Sequence, residues 1–565
     1  MLKKSRMLAA FLLAAALAAA TGCGTAAPSS ESAGASQPAS SPTSSESSSA
    51  PAGDGRDIVV LYTNDVHCGA EDGIGYAGVS AYKKELQETA DVALVDCGDA
   101  VQGGTMGTLT KGEAIINIMN SVGYDLAIPG NHEFDYGMER FLELAGKADF
   151  PYISCNFTDL RTGEGVFSPY KILELGGKKI AFVGVTTPMT ITDSTPAYFQ
   201  DGAGNYIYGF CQDDTGAALY SAVQAAVDAA RAEGADYCVL MAHLGIEAAA
   251  SPYMSTEVIE NTNGIDAVLD GHSHSTLESE QVRNKDGKYV LLTQTGTKLA
   301  ALGKLTISAD GKLSSELVTD YETKDAAVEQ LIADEKAKYA DVLSEVVAKT
   351  GAALVINDPV TGARIVRNNE TNLGDLCADA YKAATGAQIG FANGGGVRVD
   401  VPAGDITYGQ MLDVNPFGNS LCVIKATGRQ IADALELSVS LSPEEFGGYL
   451  QVSGITFDVD LSVPSGVKLD ENGMFVSVEG EARRVSNIKV DGRAMDPEAY
   501  YTVGGVSYIL EYDGNGYSMF DGCEVLMDGS IVDVDSLVAY LKDGLGGTVG
   551  DDYADPYGAG RITYK

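Results

Sequence analysis

Short apolar runs that end abruptly in polar clusters recur over residues 57–319, and a helical stretch follows most of them. Each run is continuous rather than alternating, which is typical of strands buried on both faces of a sheet. The pattern predicts a layered α/β domain, or a β-sandwich with helices, whose polar side chains collect at the strand ends. The runs are 58–67, 92–99, 125–133, 179–187, 237–243 and 266–274.

The pattern changes in the middle of the chain. Residues 324–349 have helical spacing without Gly or Pro, and Gly351 follows as a stop signal, so we expect a charged connecting helix. Strand-like runs then return, and Thr427-Gly-Arg-Gln430 has the spacing of a helix capping box. A chain of 565 residues is long enough for two such domains. The predicted segments are 57–322 for the first α/β domain, 323–358 for the connector and 359–565 for a second α/β domain.

The first 56 residues differ in composition from the rest. Three basic residues precede an apolar run that ends in Ala20-Thr21-Gly22-Cys23, which resembles the lipobox of bacterial lipoproteins. Residues 1–23 are thus predicted to be a lipoprotein signal peptide, with a lipidated Cys23 anchoring the protein at the extracellular face of the membrane. A plain secretory signal with an incidental cysteine is the alternative. Residues 24–56, rich in Ser, Ala and Pro, are predicted to be a flexible tether.

The net charge and the cysteine spacing of the chain argue against several classes of protein. The chain has 78 acidic and 38 basic residues, a net charge of −40, which argues against polymeric nucleic acid as a partner. A small anionic substrate would need metal ions or a few arginines to reverse the field locally. The cysteines form no CxxC pair or zinc-ribbon spacing, so we expect neither a zinc ribbon nor a disulfide framework.

The chain has five histidines, and all of them stand at ends of predicted strands. Histidines with ordinary core or surface roles would be scattered, so this clustering predicts a metal site. They are His67, His132, His243, His272 and His274.

Oxygen ligands accompany these histidines. Asp65 lies two residues before His67 at a strand end, so both side chains can leave the same face. Asp99 ends the next strand, where a carboxylate can present one oxygen to each of two cations. Asn131 precedes His132 and offers a neutral amide oxygen, a weak ligand that is useful only beside stronger ones. Together these residues favour a dinuclear centre.

The order D-x-H, GD, GNHE, a strand-ending His and GH-x-H resembles the calcineurin-like metallophosphoesterase superfamily. The two-domain layout resembles, within it, the 5′-nucleotidase / UDP-sugar hydrolase / 2′,3′-cyclic phosphodiesterase family. The resemblance implies a four-layer α/β metallophosphoesterase domain followed by an α/β 5′-nucleotidase C-terminal domain. It implies one metal ion on Asp65, His67, Asp99 and His274, and a second on Asp99, Asn131, His243 and His272.

The resemblance also implies the chemistry. Two divalent ions (Mn, Zn, Co or Fe) suit this mixed N/O donor set, and their residual charge would bind phosphate and activate water. His132 would stabilise the transition state or protonate the leaving oxygen, with Asp135 holding its other ring nitrogen. A helix-capping role is the alternative for Asp135. Cys68 and Cys97 stand where the family usually has Gly or Ala. We expect them to pack, and the sharper hypothesis is that they make the site sensitive to oxidation.

The second domain would supply substrate recognition. Arginine forks grip phosphate-like groups and an exposed aromatic ring can stack on a base. The motif G-G-D-G-[FY] of the family is altered here, because Asn replaces its Asp, and the aromatic side chain that precedes it could be Tyr508 or Tyr512. The positions that match nucleotide-contacting residues of the family are Arg367, Asn393, Arg398, Phe417 and Asn515.

These observations predict an extracellular two-metal phosphoesterase that acts on nucleoside 5′-monophosphates, with UDP-sugar hydrolysis also open. A 2′,3′-cyclic-nucleotide 2′-phosphodiesterase with 3′-nucleotidase activity is the alternative enzyme. An idle surface-binding protein is the alternative of another class, and the intact ligand set argues against it.

Overall fold

The computed structural model describes residues 55–480 and 482–565. The predicted lipoprotein signal, 1–23, and residues 24–54 of the predicted tether lie outside these described residues. Among the residues that are described, no helix is long and apolar enough to cross a bilayer.

Two sheets face each other in the first domain. Their central strands are parallel, because helical crossovers connect them. The first sheet has five strands, in the order Leu313–Val318, Leu302–Ile307, Ile58–Thr63, Asp91–Asp96 and Leu126–Ala127. The second has six, in the order Thr276–Arg283, Tyr289–Thr295, Ala267–Leu269, Tyr237–His243, Lys178–Thr186 and Tyr170–Leu175.

The central strands are buried on both faces, as their continuous apolar runs predict. Along Ile58–Thr63, Val59 and Leu61 pack towards the helices, whereas Val60 and Tyr62 pack between the two sheets. This alternation gives the order helix, sheet, sheet, helix and confirms the predicted four-layer α/β domain. The covering helices are Gly75–Gln87, Glu113–Val122 and Met138–Lys147 on the first sheet, and Ala217–Ala232 and Ser255–Asn261 on the second.

The second domain is also α/β and has its own core. Its largest sheet has the strand order Leu450–Ser453, Ile389–Asn393, Tyr500–Val506, Ser420–Thr427 and Glu524–Val532. A second sheet has the order Arg493–Ala494, Val485–Val490, Ile455–Val459 and Ile562–Tyr564, and a third has Gly404–Thr407, Val346–Thr350 and Thr548–Val549. The longer helices are Asn372–Thr385, Tyr408–Val414, Gly428–Ser438 and Asp533–Ala539.

The predicted capping box is confirmed at the start of helix Gly428–Ser438. The side chain of Thr427 accepts a hydrogen bond from the backbone N–H of Gln430, and the side chain of Gln430 accepts one from the N–H of Thr427. Two N–H groups that the helix cannot satisfy internally therefore find acceptors.

The connecting helix is shorter than its sequence predicts. Helix Ala326–Ala337 is followed by the single turn Ala340–Leu343, and Val346–Thr350 is a strand paired with Gly404–Thr407. The prediction of a helix as far as residue 349 was wrong. β-Branched residues favour a strand here, and burial of Val347 in the core of the second domain overrides the helical spacing.

Candidate metal centre

The structure places all seven predicted metal ligands at one edge of the two facing sheets. Parallel strands present their C-terminal ends together, so residues far apart in the chain meet there. The ligands follow or end their strands as predicted: Asp65 and His67 after Ile58–Thr63, Asp99 after Asp91–Asp96, Asn131 after Leu126–Ala127, His243 at the end of Tyr237–His243, and His272 and His274 after Ala267–Leu269.

Sharp backbone turns aim these side chains inward. Five of the seven residues have a left-handed φ, which non-glycine residues rarely adopt. Such strained residues persist where the surrounding fold fixes them, and they cluster at functional sites. The values are 50° for Asp65, 46° for His67, 61° for Asp99, 77° for His272 and 54° for His274.

The first cluster forms around His67 and His274. Their Nε2 atoms lie 3.0 Å apart, and Nε2 of His274 lies 3.4 Å from Oδ1 of Asp65. Nε2 of His67 also lies 3.8 Å from Oδ2 of Asp99. The carbonyl oxygen of Gln102 lies 3.0 Å from Nδ1 of His67, so Nδ1 carries the hydrogen and Nε2 presents its lone pair to the cluster.

The second cluster shares Asp99 with the first. Nε2 of His243 lies 3.2 Å from Oδ2 of Asp99 and 3.2 Å from Oδ1 of Asn131, which is also 2.9 Å from Nδ1 of His272. The carbonyl oxygen of Cys97 lies 2.8 Å from Nδ1 of His243, so the lone pair of this ring again points inward.

Both clusters therefore gather acceptor atoms that need a positive partner. Ligands that bind one ion at about 2.0–2.3 Å stand roughly 3–4 Å from each other, as these atoms do. Within the part of the chain that the structure describes, three overlapping groups of side chains have this spacing: Asp65 with His67 and His274, Asp65 with Asp99 and His243, and His67 with Asp99 and His132. The residues present fit divalent metal ions held by nitrogen and oxygen.

The pKa values of the rings agree with this assignment. Burial lowers the pKa of His67 well below its usual range and that of His272 to about 3, so both rings are neutral and ready to bind a metal. Burial also opposes the protonation of His243, but the charge of Asp99 overrides it and raises the pKa of His243 to about 10. A divalent ion would take the place of that proton.

Two positioning residues escaped sequence reasoning. Glu133 accepts hydrogen bonds from the backbone N–H groups of Asp99, Ala100 and Gly130, at 2.8, 2.8 and 2.6 Å. It therefore ties the loop that carries Asp99 to the loop that carries Asn131. Its position in the sequence GNHE was the available signal.

The second is Asn64, whose Nδ2 donates to Oδ2 of Asp65 at 2.6 Å. Its Oδ1 accepts from the backbone N–H of Thr295, so the amide holds Asp65 in place. Nothing in the sequence distinguished Asn64 from an ordinary strand-end residue.

His132 and Asp135 form the predicted pair. Nδ1 of His132 lies 2.6 Å from Oδ2 of Asp135, and Oδ1 of Asp135 accepts from the Ser194 hydroxyl at 3.1 Å. Burial lowers the pKa of His132, but the charges of Asp135 and Asp99 outweigh it and raise the pKa above its ordinary value. The helix that follows begins without a side-chain cap, so the contacts of Asp135 favour the ring over the capping alternative.

A cavity of about 420 Å³ extends from the metal ligands into the second domain. All five predicted recognition residues line it. One of them reaches His132: the ring centroid of Phe417 lies 5.8 Å from that of His132. The guanidinium of Arg398 lies 5.7 Å from the centroid of the Phe417 ring. The other three are Arg367, Asn393 and Asn515.

Arg364 also lines the cavity and was missed from the sequence. It forms an ion pair with Glu445, and its charge lowers the pKa values of Arg367 and Arg398, although burial lowers them more. Three guanidinium groups thus line the cavity and supply donors that an anion can accept from. Carboxylates such as Asp193, Glu247 and Asp470 line it as well, so a net positive field at the phosphate would depend on bound metal ions.

The two tyrosines near Asn515 differ in their position relative to the cavity. Tyr508 lines the cavity, and its hydroxyl donates to the backbone oxygen of Thr192 in the first domain at 2.7 Å. Tyr512 lies outside the cavity lining with 40% of its surface exposed.

The cysteines pack, as expected. Cys97 is fully buried, and burial raises its pKa well above the ordinary range and that of Cys68 to about 12. Because peroxide oxidises the thiolate, these shifts disfavour the oxidation hypothesis. The eight cysteines of the described residues are free thiols.

Comparison with known proteins agrees with this geometry. Residues 58–276 match the family model for calcineurin-like phosphoesterases, and residues 346–522 match that for the 5′-nucleotidase C-terminal domain. The chain belongs to the calcineurin-like phosphoesterases that carry a 5′-nucleotidase C-terminal domain. This phosphoesterase is therefore a metal-dependent phosphoester hydrolase.

Its relatives are distant but similar along most of the chain. The 5′-nucleotidase of Vibrio parahaemolyticus is 26% identical, over 86% of this chain and 89% of its own length. The trifunctional nucleotide phosphoesterase protein YfkN of Bacillus subtilis is 28% identical over 86% of this chain, which spans 34% of that longer protein. The crystal structure of a 5′-nucleotidase precursor from Thermus thermophilus superposes with a TM-score of 0.75 at 27% identity, covering 90% of this phosphoesterase and 99% of that chain.

Proposed function

We propose that this phosphoesterase releases phosphate from nucleoside 5′-monophosphates. One observation carries the proposal: a single cavity is lined both by metal ligands and His132 and by arginines, Asn515 and aromatic rings of the second domain. A phosphate ester with a polar, planar leaving group fits such a cavity better than a bare phosphate does. The names of the relatives agree with this substrate class.

The ligand set determines the first part of the mechanism. Divalent ions bound there would bind phosphoryl oxygens and lower the pKa of the attacking water. Asp65 and Asp99 supply two negative charges, so positive charge remains to attract the phosphate. Asn64 and Glu133 hold these carboxylates and their loops in position.

His132 acts on the phosphoryl group and the leaving oxygen. Asp135 holds its Nδ1, so its Nε2 is the nitrogen free to face the substrate. Its raised pKa favours the protonated ring, which stabilises negative charge and can give a proton to the departing ribose oxygen. Phe417 lies between His132 and Arg398, and the guanidinium of Arg398, which lines the same cavity, would bind the same phosphate.

Two further activities follow from the relatives and the shared metal centre. The Bacillus subtilis relative is named a trifunctional nucleotide phosphoesterase, which favours cleavage of 2′,3′-cyclic nucleotides as a second candidate. UDP-sugar hydrolysis would use the same ions on a longer substrate. We also propose that the protein acts at the extracellular face of the membrane, held by a lipidated Cys23, a location supported by the lipobox-like sequence.

Assays on the purified protein test the proposal. After removal of metal with a chelator and restoration of Mn, Zn or Co, the substrates would be AMP, UDP-glucose, 2′,3′-cyclic AMP and a generic diester. We expect AMP to be hydrolysed and chelation to abolish turnover. His132→Ala should keep its metal and lower kcat by about 10²–10⁴-fold. Failure to hydrolyse AMP with any of the three metals, while the diester is cleaved, would refute the nucleotidase assignment.

A further inference from the structure

Residues 190–194, here called the junction turn, form a single helical turn followed by a serine. Ile191 is fully buried in the core of the first domain. Oγ1 of Thr190 donates to the carbonyl oxygen of Thr187 at 2.7 Å, and the N–H of Thr187 donates to the carbonyl oxygen of His243 at 2.9 Å. The junction turn thus begins beside a predicted metal ligand and is anchored in the first domain.

The end of the junction turn contacts the pair formed by His132 and Asp135. Oγ of Ser194 donates to Oδ1 of Asp135 at 3.1 Å, and Oδ2 of the same carboxylate lies 2.6 Å from Nδ1 of His132. Ser194 is buried, so the position of its hydroxyl follows the backbone of the turn. Because both oxygens of Asp135 are engaged, Ser194 helps to fix the direction from which the carboxylate holds the ring.

The middle of the junction turn contacts the second domain. In a longer helix the carbonyl oxygen of Thr192 would accept the N–H of residue 196, but that residue is Pro196, which has no N–H. The hydroxyl of Tyr508 donates to this oxygen instead, at 2.7 Å. Gly473 packs against the same threonine, since an added Cβ there would lie 3.0 Å from its Cγ2. The junction turn therefore links a donor of the second domain to the catalytic pair of the first.

The second domain holds Tyr508 in a fixed position. The residue belongs to the helical turn Ser507–Leu510, and the hydroxyl of Ser507 donates to the carbonyl oxygen of Ser420 at 2.7 Å. Gly514 covers part of the Tyr508 ring, since an added Cβ there would lie 2.3–2.4 Å from three ring carbons. The fold of the second domain thus determines where the hydroxyl points.

We infer that Tyr508 is a positioning residue for the hydrolysis. Its hydroxyl holds the junction turn so that Ser194 fixes Asp135, and Asp135 fixes His132. The inference deepens the proposed function and rests on the catalytic role proposed there for His132. Since Tyr508 belongs to the second domain and the pair belongs to the first, the geometry of the pair depends on contact between the two domains.

Another contact of the junction turn supplies a competing explanation. Oδ2 of Asp193 lies 3.8 Å from Nε2 of His272, whose Nδ1 faces Asn131. A shift of the turn would then act on the metal ligands rather than on His132. The amount of bound metal separates these two effects.

Kinetics of Tyr508→Phe, which loses the hydroxyl and keeps the ring, test the inference. We would measure kcat and KM for AMP and for ribose 5-phosphate, which lacks the base. We expect kcat to fall about 3- to 10-fold for both substrates, the factor of one hydrogen bond, and KM to stay within about twofold. Metal content, measured by mass spectrometry, should equal that of the wild type. The control is Tyr500→Phe, which should match the wild type because Tyr500 is 63% exposed and lies outside the cavity lining.

A double-mutant cycle tests the path through Ser194. Ser194→Ala removes the next hydrogen bond of the same path, so its kcat should fall by a similar factor. The double variant Tyr508→Phe/Ser194→Ala should lose no more than the worse of the two single variants, because both changes break one link. Losses that multiply would show that the two residues act independently and would overturn the inference.

Three other results would also overturn it. An unchanged kcat in Tyr508→Phe would show that the hydroxyl is not needed. A loss confined to AMP would show that Tyr508 contacts the base of the substrate. A loss of bound metal in proportion to the loss of kcat would place the effect at Asp193 and His272.

The two proposals fail in distinguishable ways. If the wild type hydrolyses ribose 5-phosphate but not AMP, the nucleotidase function fails, and the same cycle on ribose 5-phosphate still tests Tyr508. If the wild type hydrolyses AMP and Tyr508→Phe keeps the wild-type kcat, only the role of Tyr508 is refuted.

Discussion

Nδ1 of His132 lies 2.6 Å from Oδ2 of Asp135, and the charge of this carboxylate raises the pKa of the ring although its burial lowers it. The charge of Asp135 raises the pKa of His132, with help from Asp99, which also accepts the backbone N–H of His132. The pKa of the group that faces the substrate therefore depends on a side chain three residues away.

Asp135→Asn should move the alkaline limb of the pH profile to lower pH. Catalysis that needs a protonated His132 is lost as pH rises through its pKa, and removing the charge of Asp135 lowers that pKa. At pH 8 we expect kcat/KM to fall about 10- to 100-fold, with a smaller loss at pH 6. Ser194→Ala, which removes only a hydrogen bond to Asp135, should shift the limb less. An unchanged limb in Asp135→Asn would show that His132 is not the titrating acid.

Two substitutions of His274 test whether metal binding needs a neutral donor atom at this position. His274→Gln keeps a neutral donor near Oδ1 of Asp65, so we expect metal to stay bound and kcat/KM to fall less than about tenfold. His274→Ala removes the donor and should lower the affinity of the first cluster by about 10- to 100-fold or more. Metal titration by calorimetry, followed by phosphate release, checks both. Unchanged metal affinity in His274→Ala would exclude His274 as a ligand.

Glu133→Gln should destabilise the two loops that carry Asp99 and Asn131, although Glu133 is not itself a predicted metal ligand. The amide keeps one acceptor but turns an NH₂ group towards backbone donors, so at least one buried N–H loses its partner. We expect a loss of about 1–3 kcal/mol in the free energy of unfolding of the metal-free protein, together with weaker metal binding. Urea-induced unfolding measures this free energy. The exposed Glu139→Gln is the matched control, and equal stability of the two variants would contradict the role of Glu133.

The metal centre was predictable because its chemistry is concentrated in rare residues at strand ends. The strand assignments placed His67, His243 and Asp99 correctly, since continuous apolar runs leave little choice of buried face. Glu133 and Arg364 were not predicted, because their roles depend on hydrogen bonds and ion pairs between distant segments. Sequence periodicity does not contain that information.

The prediction of a long connecting helix was wrong for a different physical reason. Residues 346–349 continue the helical spacing of the preceding segment, yet they pair with Gly404–Thr407, more than fifty residues later in the chain. Burial of Val347 and Ala348 in the core of the second domain decides their conformation. Local pattern cannot anticipate such a tertiary partner.

A disulfide across the domain interface tests whether the domains must move during turnover. Oγ1 of Thr105 donates to Oδ1 of Asp413 at 2.5 Å, so these two residues face each other across the interface and are the pair to replace with cysteines. Oxidised Thr105→Cys/Asp413→Cys should lose about tenfold or more in kcat and regain it with reductant, if product release requires the domains to separate. Each single cysteine variant is the control. Full activity of the oxidised protein would show that the arrangement seen here suffices for turnover.

The central claim is that Asp65, His67, Asp99, Asn131, His243, His272 and His274 hold divalent ions. Anomalous diffraction from crystals of protein grown with manganese or zinc tests it most directly, because it places each ion among its ligands. We predict two peaks per chain, one beside Asp65, His67 and His274 and one beside Asn131, His243 and His272, with Asp99 between them. Density for these side chains with no anomalous peak within about 2.5 Å of them would contradict the account.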